Sequence, residues 1–392
     1  MRPANLCLYC RSGRYLCGHK PCPLLARLRI EGRVKQISQD LFGPAPSIFI
    51  GRDGWPRVFS GPLAALSDRP DLDRPESWFG MGYHQIIELR SQLLRGKERT
   101  DVRNPKEELY EIALANRPPD VEIRLKKKPY YRFSFSDIYQ PMGPTAPLES
   151  FRLAENPRVS SKAERIVGEG LKAGEALWQL YRLGIEVSRL SVILSAGALG
   201  LEKRLVPTRW SITAVHQVLA GRLIRQIKLF RQVESFMLFS SEYLDNSFHI
   251  LVMPGQWEFE NFEAWAPGSL WARTAKKPEI TCEYEPWQGR SSYAESQAGG
   301  YYASRLGVAE GLFRLKRQGR VVVFREISEG YIIPVGVWQV LENVRNAFRR
   351  GPERFSSLQE ALEVLDRRLR LGLKPYLQKS RILGQRRLQE FG

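Results

Sequence analysis

ESFMLFSSEYLDNSFHILVMPG, residues 234–255, decides the fold class. Two apolar, aromatic-rich runs flank Asp245-Asn246, and Asx residues tolerate the left-handed backbone that a tight turn between paired strands demands. The stretch reads as an antiparallel β-hairpin. Upstream, WSITAVHQVLAGRLIRQIKLF (210–230) reads as a strand end running into an amphipathic helix. Downstream come a helix pattern in GGYYASRLGVAEGLFRLKRQG (299–319), a strand in RVVVFREIS (320–328), a helix in VGVWQVLENVRNAFRRG (335–351) and a last helix over 357–378. Helices and strands mix without a regular βαβ rhythm, so the expected class is α+β with antiparallel hairpins.

Closer to the N-terminus, SIFIGRDGWPRVFSGP (47–62) is a second hairpin signal around Asp53-Gly54. LLARLRIEGRVKQISQDLFG (24–43) reads as a short helix closed by Gly43. HQIIELRSQLLRG (84–96) reads as a helix whose face carries Ile86, Ile87, Leu89, Leu93 and Leu94. RLKKKPYYRFSFSDIYQPMGPTAP (124–147) is polar and aromatic, the composition of a loop, and SSKAERIVGEGLKAGEALWQLYRLG (160–184) is again helical.

The 392 residues carry 60 Lys and Arg against 42 Asp and Glu, a net charge of +18, which favours an anionic partner. Arg outnumbers Lys, the bias of planar, bidentate phosphate recognition. Three segments interleave cations with aromatics: KKKPYYRF (126–133), RLVPTRW (204–210) and RLIRQIKLFR (222–231). Aromatic faces stack on unpaired bases while cations track phosphates, so Lys126, Lys127, Lys128, Tyr131, Arg204, Arg209, Trp210, Arg222 and Arg225 are candidate nucleic-acid contacts. The plainer reading of each segment is a solvated charged face whose aromatics turn inward.

Four of the five cysteines fall in CLYCRSGRYLCGHKPC (7–22). Cys7, Cys10, Cys17 and Cys22 form a C-x2-C pair and a C-x4-C pair, two short chelate loops able to bring four thiolates to within ~2.3 Å of one Zn²⁺. His19 is an alternative ligand in place of Cys17 or Cys22, and an iron–sulfur cluster, disulfides or free thiols are alternative fates. Four protein ligands leave no open position, so a zinc ion here is structural.

Catalytic candidates are acidic. Glu258 and Glu260 share one face if WEFENFEAW (257–265) is a strand, and with Glu295 they form a candidate set for Mg²⁺ or Mn²⁺ of the kind nucleases use. Glu263, Glu283 and Glu285 lie nearby in sequence, and the competing reading of all these residues is surface acid balancing a basic chain. His84 and Glu88 read as a surface pair, His249 as a core residue, and His216 as a side chain that approaches a phosphate held by Thr208, Arg209 and Ser211. The chain has no P-loop, dinucleotide fingerprint or nucleophile elbow.

The chain closes on GQRRLQEFG (384–392), in which Gln385, Leu388 and Phe391 match the sliding-clamp pattern Q-x-x-[LIM]-x-x-aromatic. One helical turn stacks the residues at i+3 and i+6 into an apolar plug, with the glutamine amide bonding at the rim of its socket. A last turn packed on its own domain is the alternative.

With GPAPSIFIGRDGWP, LVPTRWSITAV, WEFENFEAWAPGS, YEPWQGRSSYAESQAGGYYASRL, EGYIIPVGVWQVLENVRNAF, the N-terminal cysteines and this tail, the chain resembles the archaeal Nre family of DNA-repair proteins over nearly its whole length. The resemblance implies a role in DNA repair with recruitment by the clamp PCNA, an N-terminal domain to about residue 275 and a smaller C-terminal one.

The expected organisation is thus a zinc-binding module over 1–40, an α+β domain over 41–275, a mostly helical domain over 276–378 and a flexible tail over 379–392. No apolar run approaches the ~20 residues of a membrane helix, and the N-terminus lacks a signal-peptide core, so a cytoplasmic monomer is expected. The reading is a repair factor that binds DNA and PCNA. Alternatives are a metal-dependent nuclease and a zinc-containing RNA-binding protein.

Overall fold

The structure is a computed structural model that describes residues 37–69, 71–130, 143–269, 272, 275–331 and 334–384. The four clustered cysteines, Tyr131 and the residues Gln385, Leu388 and Phe391 lie outside the described residues. The fold divides into two compact units between Leu219 and Ala220, within one long helix.

The first unit holds a six-stranded sheet built from β1 (Asp40–Pro44), β2 (Ser47–Ile50), β3 (Arg57–Ala65), β4 (Leu93–Asp101), β5 (Asp120–Leu125) and β6 (Thr145–Leu153), in the order β1-β5-β6-β4-β3-β2. Its helices are α1 (Tyr83–Ser91), α2 (Glu107–Leu114), α3 (Ser161–Gly168), α4 (Ala173–Arg182), α5 (Val187–Ser195) and the start of α6 (Thr208–Ile227). β2 and β3 form the hairpin expected around Asp53-Gly54, pairing Ser47 with Leu63 and Ile50 with Ser60. The half-buried Arg189 of α5 donates to the carbonyls of Pro46, Ile112 and Ala115 at 2.7–2.9 Å and ties this helix to α2 and to the start of β2. Burial pushes its guanidinium down to about 10.

Several local expectations are corrected here. Residues 40–44 pair with β5 as a strand instead of closing a helix. Leu93 and Leu94 begin β4, because the chain leaves the helix at Gln92. The strand end expected at the start of 210–230 is helix instead, since α6 begins at Thr208.

The second unit holds β7 (Phe236–Tyr243), β8 (Asn246–Met253), β9 (Glu258–Trp265), β10 (Glu279–Glu285), β11 (Arg320–Ile327) and β12 (Glu353–Phe355), ordered β10-β9-β11-β8-β7-β12. Its further helices are α7 (Gly299–Leu315), α8 (Trp338–Arg350), α9 (Leu358–Arg368) and α10 (Lys374–Leu377). The division expected at 275 runs through this sheet: β9 before it pairs with both β10 and β11 after it, so the strands share one core. The mixed α+β class is as expected.

The hairpin of 234–255 is present, displaced by one residue: Tyr243 pairs with Asn246, and Leu244 and Asp245 take positive φ of 49° and 55°. The cause is Asn246, whose buried side-chain oxygen accepts from Arg325 Nε at 2.9 Å and Nη2 at 2.7 Å. A one-residue slip would turn that amide to the opposite face. α7 and α8 pack closely on one face of the sheet. A side chain at Gly307 would overlap Val344, and one at Gly311 would overlap the Phe348 ring. Arg345 locks the helix pair, donating to both oxygens of Glu310 at 2.6 and 2.7 Å and to Glu342 at 2.6 Å. On the other face an apolar cluster of Leu238, Leu251, Phe262 and Phe324 is covered by Leu365, Leu369, Tyr376 and Ile382. The last expected helix is two, broken at Leu369.

Candidate nucleic-acid interface

In β3 the side chains alternate: Val58 and Ser60 go inward, Arg57 and Phe59 outward. Phe59 faces Arg99 of β4 across the pair, and the Arg99 guanidinium lies 4.1 Å over its ring. Arg99 also donates to the Arg57 carbonyl at 2.7 Å, which pins the turn that leads into β3. That turn needs Gly54, whose φ is +86° and whose absent Cβ would sit 2.8 Å from the same carbonyl. It presents Trp55 outward.

The partner of Trp55 is Trp210, in the first turn of α6. Thr208 Oγ1 accepts the Ile50 N–H at 3.1 Å, so the helix start is fastened to the end of β2. The two indoles meet at 5.3 Å between centroids, tilted by 49°. Each remains nearly half exposed, Trp55 at 47% and Trp210 at 46%, with Phe59 at 37% beside them. Large aromatic rings left in water in one contiguous group mark an interaction surface. Around them stand the exposed Arg52, Arg57, Arg99 and Arg209. Two carboxylates border the patch: Asp53 beside Arg52 at 3.7 Å, and Asp101 opposite Arg57 across the β3–β4 pair. The exposed indoles can stack on bases and Arg52, Arg57 and Arg209 can pair with phosphates, while Arg99 holds Phe59 and the turn in place.

Of the residues named from the sequence, Arg209 and Trp210 belong to this patch. Lys126, Lys127 and Lys128 are exposed just after β5, which β6 and β4 separate from the hairpin. Arg204 is exposed and paired with Glu202 at 2.6 Å. In the second unit Arg225 is exposed and Arg222 half-buried on α6. Trp55, Phe59, Arg57 and Arg99 were not singled out from the sequence. The signal available for two of them is the outward phase of Arg57 and Phe59.

The phosphate cradle expected around His216 is not assembled: Thr208 is bonded to Ile50, and Ser211 and His216 are buried. His84 and Glu88 form the surface pair, 4.0 Å apart.

The acidic residues of the second unit are placed differently from a metal set. Glu258 and Glu260 do share a face of β9, with Tyr284 donating to Glu258 at 3.3 Å. Glu260 is buried and accepts from the Ser380 hydroxyl and from the Arg381 N–H at 2.7 Å, so the chain's own C-terminal segment occupies its oxygens. Glu295 is exposed in the loop after β10. Glu263 pairs with Arg325 and Glu283 with Arg290, both at 2.6 Å. Glu285 takes Arg305 at 2.6 and 2.8 Å together with the Tyr301 hydroxyl at 3.0 Å. Among the described residues no group of three His, Cys, Asp or Glu side chains is disposed to hold a metal ion. No helix among them is long and apolar enough to cross a membrane.

Comparison with known proteins agrees across both units. Residues 16–272 match the family described as archaeal Nre, N-terminal, and residues 285–391 that described as archaeal Nre, C-terminal. The DNA repair protein NreB of Archaeoglobus fulgidus is 36% identical over 394 residues, covering 98% of this chain and 99% of its own length. NreA of the same organism is 39% identical over 372 residues, 93% of each chain. NreA of Haloferax volcanii is 38% identical over 327 residues, 78% of this chain and 77% of its own. No solved structure matches. With both segments matched and relatives aligned nearly end to end, the chain belongs to the archaeal Nre family.

Proposed function

We propose that this chain is a DNA-repair factor that holds unpaired nucleic acid on the Trp55–Trp210 patch and is recruited to DNA by the sliding clamp PCNA through Gln385, Leu388 and Phe391. Three relatives named as DNA repair proteins support the first part. The observation that carries the strand-binding reading is the exposed indole pair ringed by four arginines. In a duplex the base faces are hidden, so an outward aromatic pair gains most from bases that are already unstacked. Recruitment by a tail raises local concentration, so modest direct affinity suffices. Cys7, Cys10, Cys17 and Cys22 are proposed to bind a structural Zn²⁺, the four-thiolate chemistry that stabilises a short segment.

The test is fluorescence anisotropy with a labelled single strand and the matching duplex. Trp210→Ala and Trp55→Ala are each expected to weaken single-strand binding by roughly 1–3 kcal/mol, the cost of losing one stacked base. Duplex binding is expected to be weaker and little changed. Equal affinities of both variants and the parent chain for the single strand would refute the patch. An RNA strand of the same sequence, titrated over a range of salt, distinguishes the RNA-binding alternative: a preference for RNA that persists when phosphates are screened reports 2′-hydroxyl contacts.

A further inference from the structure

On the outer face of the β7–β8 hairpin, two adjoining hollows of about 440 and 300 Å³ share Ser240, Arg350 and Arg368. Alternation along the hairpin brings Ser240 and Glu242 from β7 together with Ser247 and His249 from β8. The walls are Arg350, at the end of α8, and Arg368 and Arg370, at and just beyond the end of α9. We infer that this groove binds the phosphate of a phosphate ester, at a site separate from the aromatic patch.

The hydrogen bonds lead to this ligand. Arg368 is committed to Glu353, donating at 2.6 and 2.7 Å, and reaches Ser240 Oγ at 3.4 Å. With its oxygen accepting there, the Ser240 hydroxyl hydrogen is directed to His249 Nδ1, 2.9 Å away. His249 then carries its proton on Nε2. Burial, reinforced by Arg368, pushes His249 down to about 4, so the ring is a neutral donor at physiological pH. Among the described residues, Arg350 and the Ser247 hydroxyl have no protein partner. Arg370 meets Glu242 only at 3.7 Å, both side chains being more than half exposed.

Three guanidiniums against two carboxylates leave one positive charge, which a singly charged phosphodiester neutralises. Among the described residues the hollows are lined by no Phe, Tyr or Trp that would grip a free base, and His249 is the one ring in them. A backbone phosphate of a nucleic-acid strand is therefore the favoured source of the anion, read without regard to sequence.

The test uses the full chain and two arms. In the first, inorganic phosphate is titrated into the protein while the His249 ring proton is followed by NMR. In the second, strand affinity is measured against salt. Arg350→Gln alters an exposed side chain, and a thermal melt confirms its fold. In the strand arm it is expected to cut affinity about 3- to 10-fold and to lower the salt slope by about 0.7, the share of one phosphate of a single strand. Ser247→Asp, which places a negative charge in the groove, is expected to do at least as much. A His249 shift with inorganic phosphate that Arg350→Gln abolishes also supports the groove and assigns it a free phosphate. If phosphate leaves His249 unmoved and neither variant changes strand affinity or salt slope, the inference is overturned. The Trp210→Ala chain serves as control: its loss with Arg350→Gln unaffected condemns the groove alone, and the reverse result condemns the patch alone.

Discussion

Glu260 fastens the C-terminal segment to the body, and its removal should release that segment before anything else unfolds. Its carboxylate accepts from the Ser380 hydroxyl, from the Arg381 N–H at 2.7 Å and from the Ile382 N–H, with Cys282 donating as well. Beside it Ile382 is 3% exposed within the apolar cluster and Leu383 packs against the same cluster, so Ser380, Ile382 and Leu383 are held on the body where the sequence reading begins a free tail at 379. Hydrogen bonds to a charged acceptor are worth about 1.5–3 kcal/mol each, set against the cost of burying the carboxylate. Glu260→Ala should therefore weaken the local anchor by about 2–4 kcal/mol. At roughly tenfold per 1.4 kcal/mol, the amides of Arg381 and Ile382 should exchange hydrogen about 30- to 1000-fold faster, with strands β8 and β11 nearly unchanged. Burial also raises the Glu260 carboxyl above its ordinary 4.5, more than its donors lower it. The folded chain then holds the extra proton, so this group's contribution to stability falls as pH rises through the window above 4.5, and Glu260→Gln should flatten that dependence. Exchange at Arg381 and Ile382 that is equally slow in the Glu260→Ala chain would refute the anchoring argument.

Deleting residues 385–392 is expected to abolish association with PCNA in a pull-down while leaving the melting curve and nucleic-acid affinity nearly intact; loss of the fold would make the tail a packing element. Elemental analysis of the purified chain is expected to return about one zinc per molecule, lost in Cys10→Ser. Iron in its place would assign a cluster, and no metal would remove the module. Gly311→Leu drives a side chain into the Phe348 ring between α7 and α8, and should cost at least about 1–3 kcal/mol in urea unfolding. An unchanged midpoint would mean that the helices can part without penalty.

What the sequence made legible is what local chemistry decides. The hairpins at 47–62 and 234–255, the strand at 320–328 and the helices at 299–319 and 335–351 all announce themselves by period and turn residues. The misses arise where a distant partner decides. Asp40–Pro44 is a strand because β5 pairs with it, and nothing in the five residues foretells that. The turn of the second hairpin moves by one residue because Asn246 must meet Arg325, 79 positions away. β6, Thr145–Leu153, carries a proline and exposed charges, and its parallel pairing with β4 is likewise a tertiary fact.

The same reasoning separates the two sites. Glu258, Glu260 and Glu263 stand close together in sequence, the look of a carboxylate set, yet alternation sends Glu263 to the face where Arg325 waits and leaves Glu260 to the C-terminal segment. A buried carboxylate is stable only if donors converge on it, and in a sheet those donors arrive from other strands and from helices far along the chain. A patch for an external anion obeys the opposite condition, because its cations must remain without a full set of internal partners. Arg209 and Trp210 could be named from the sequence because cation and ring stand side by side in RLVPTRW. Trp55, Phe59 and Arg99 join them only once β2, β3 and β4 are paired and Thr208 has tied the helix to the hairpin. If that tie positions the indoles, Thr208→Val should weaken single-strand binding without touching any surface residue, and an unaltered affinity would leave Trp210 positioned by the helix alone.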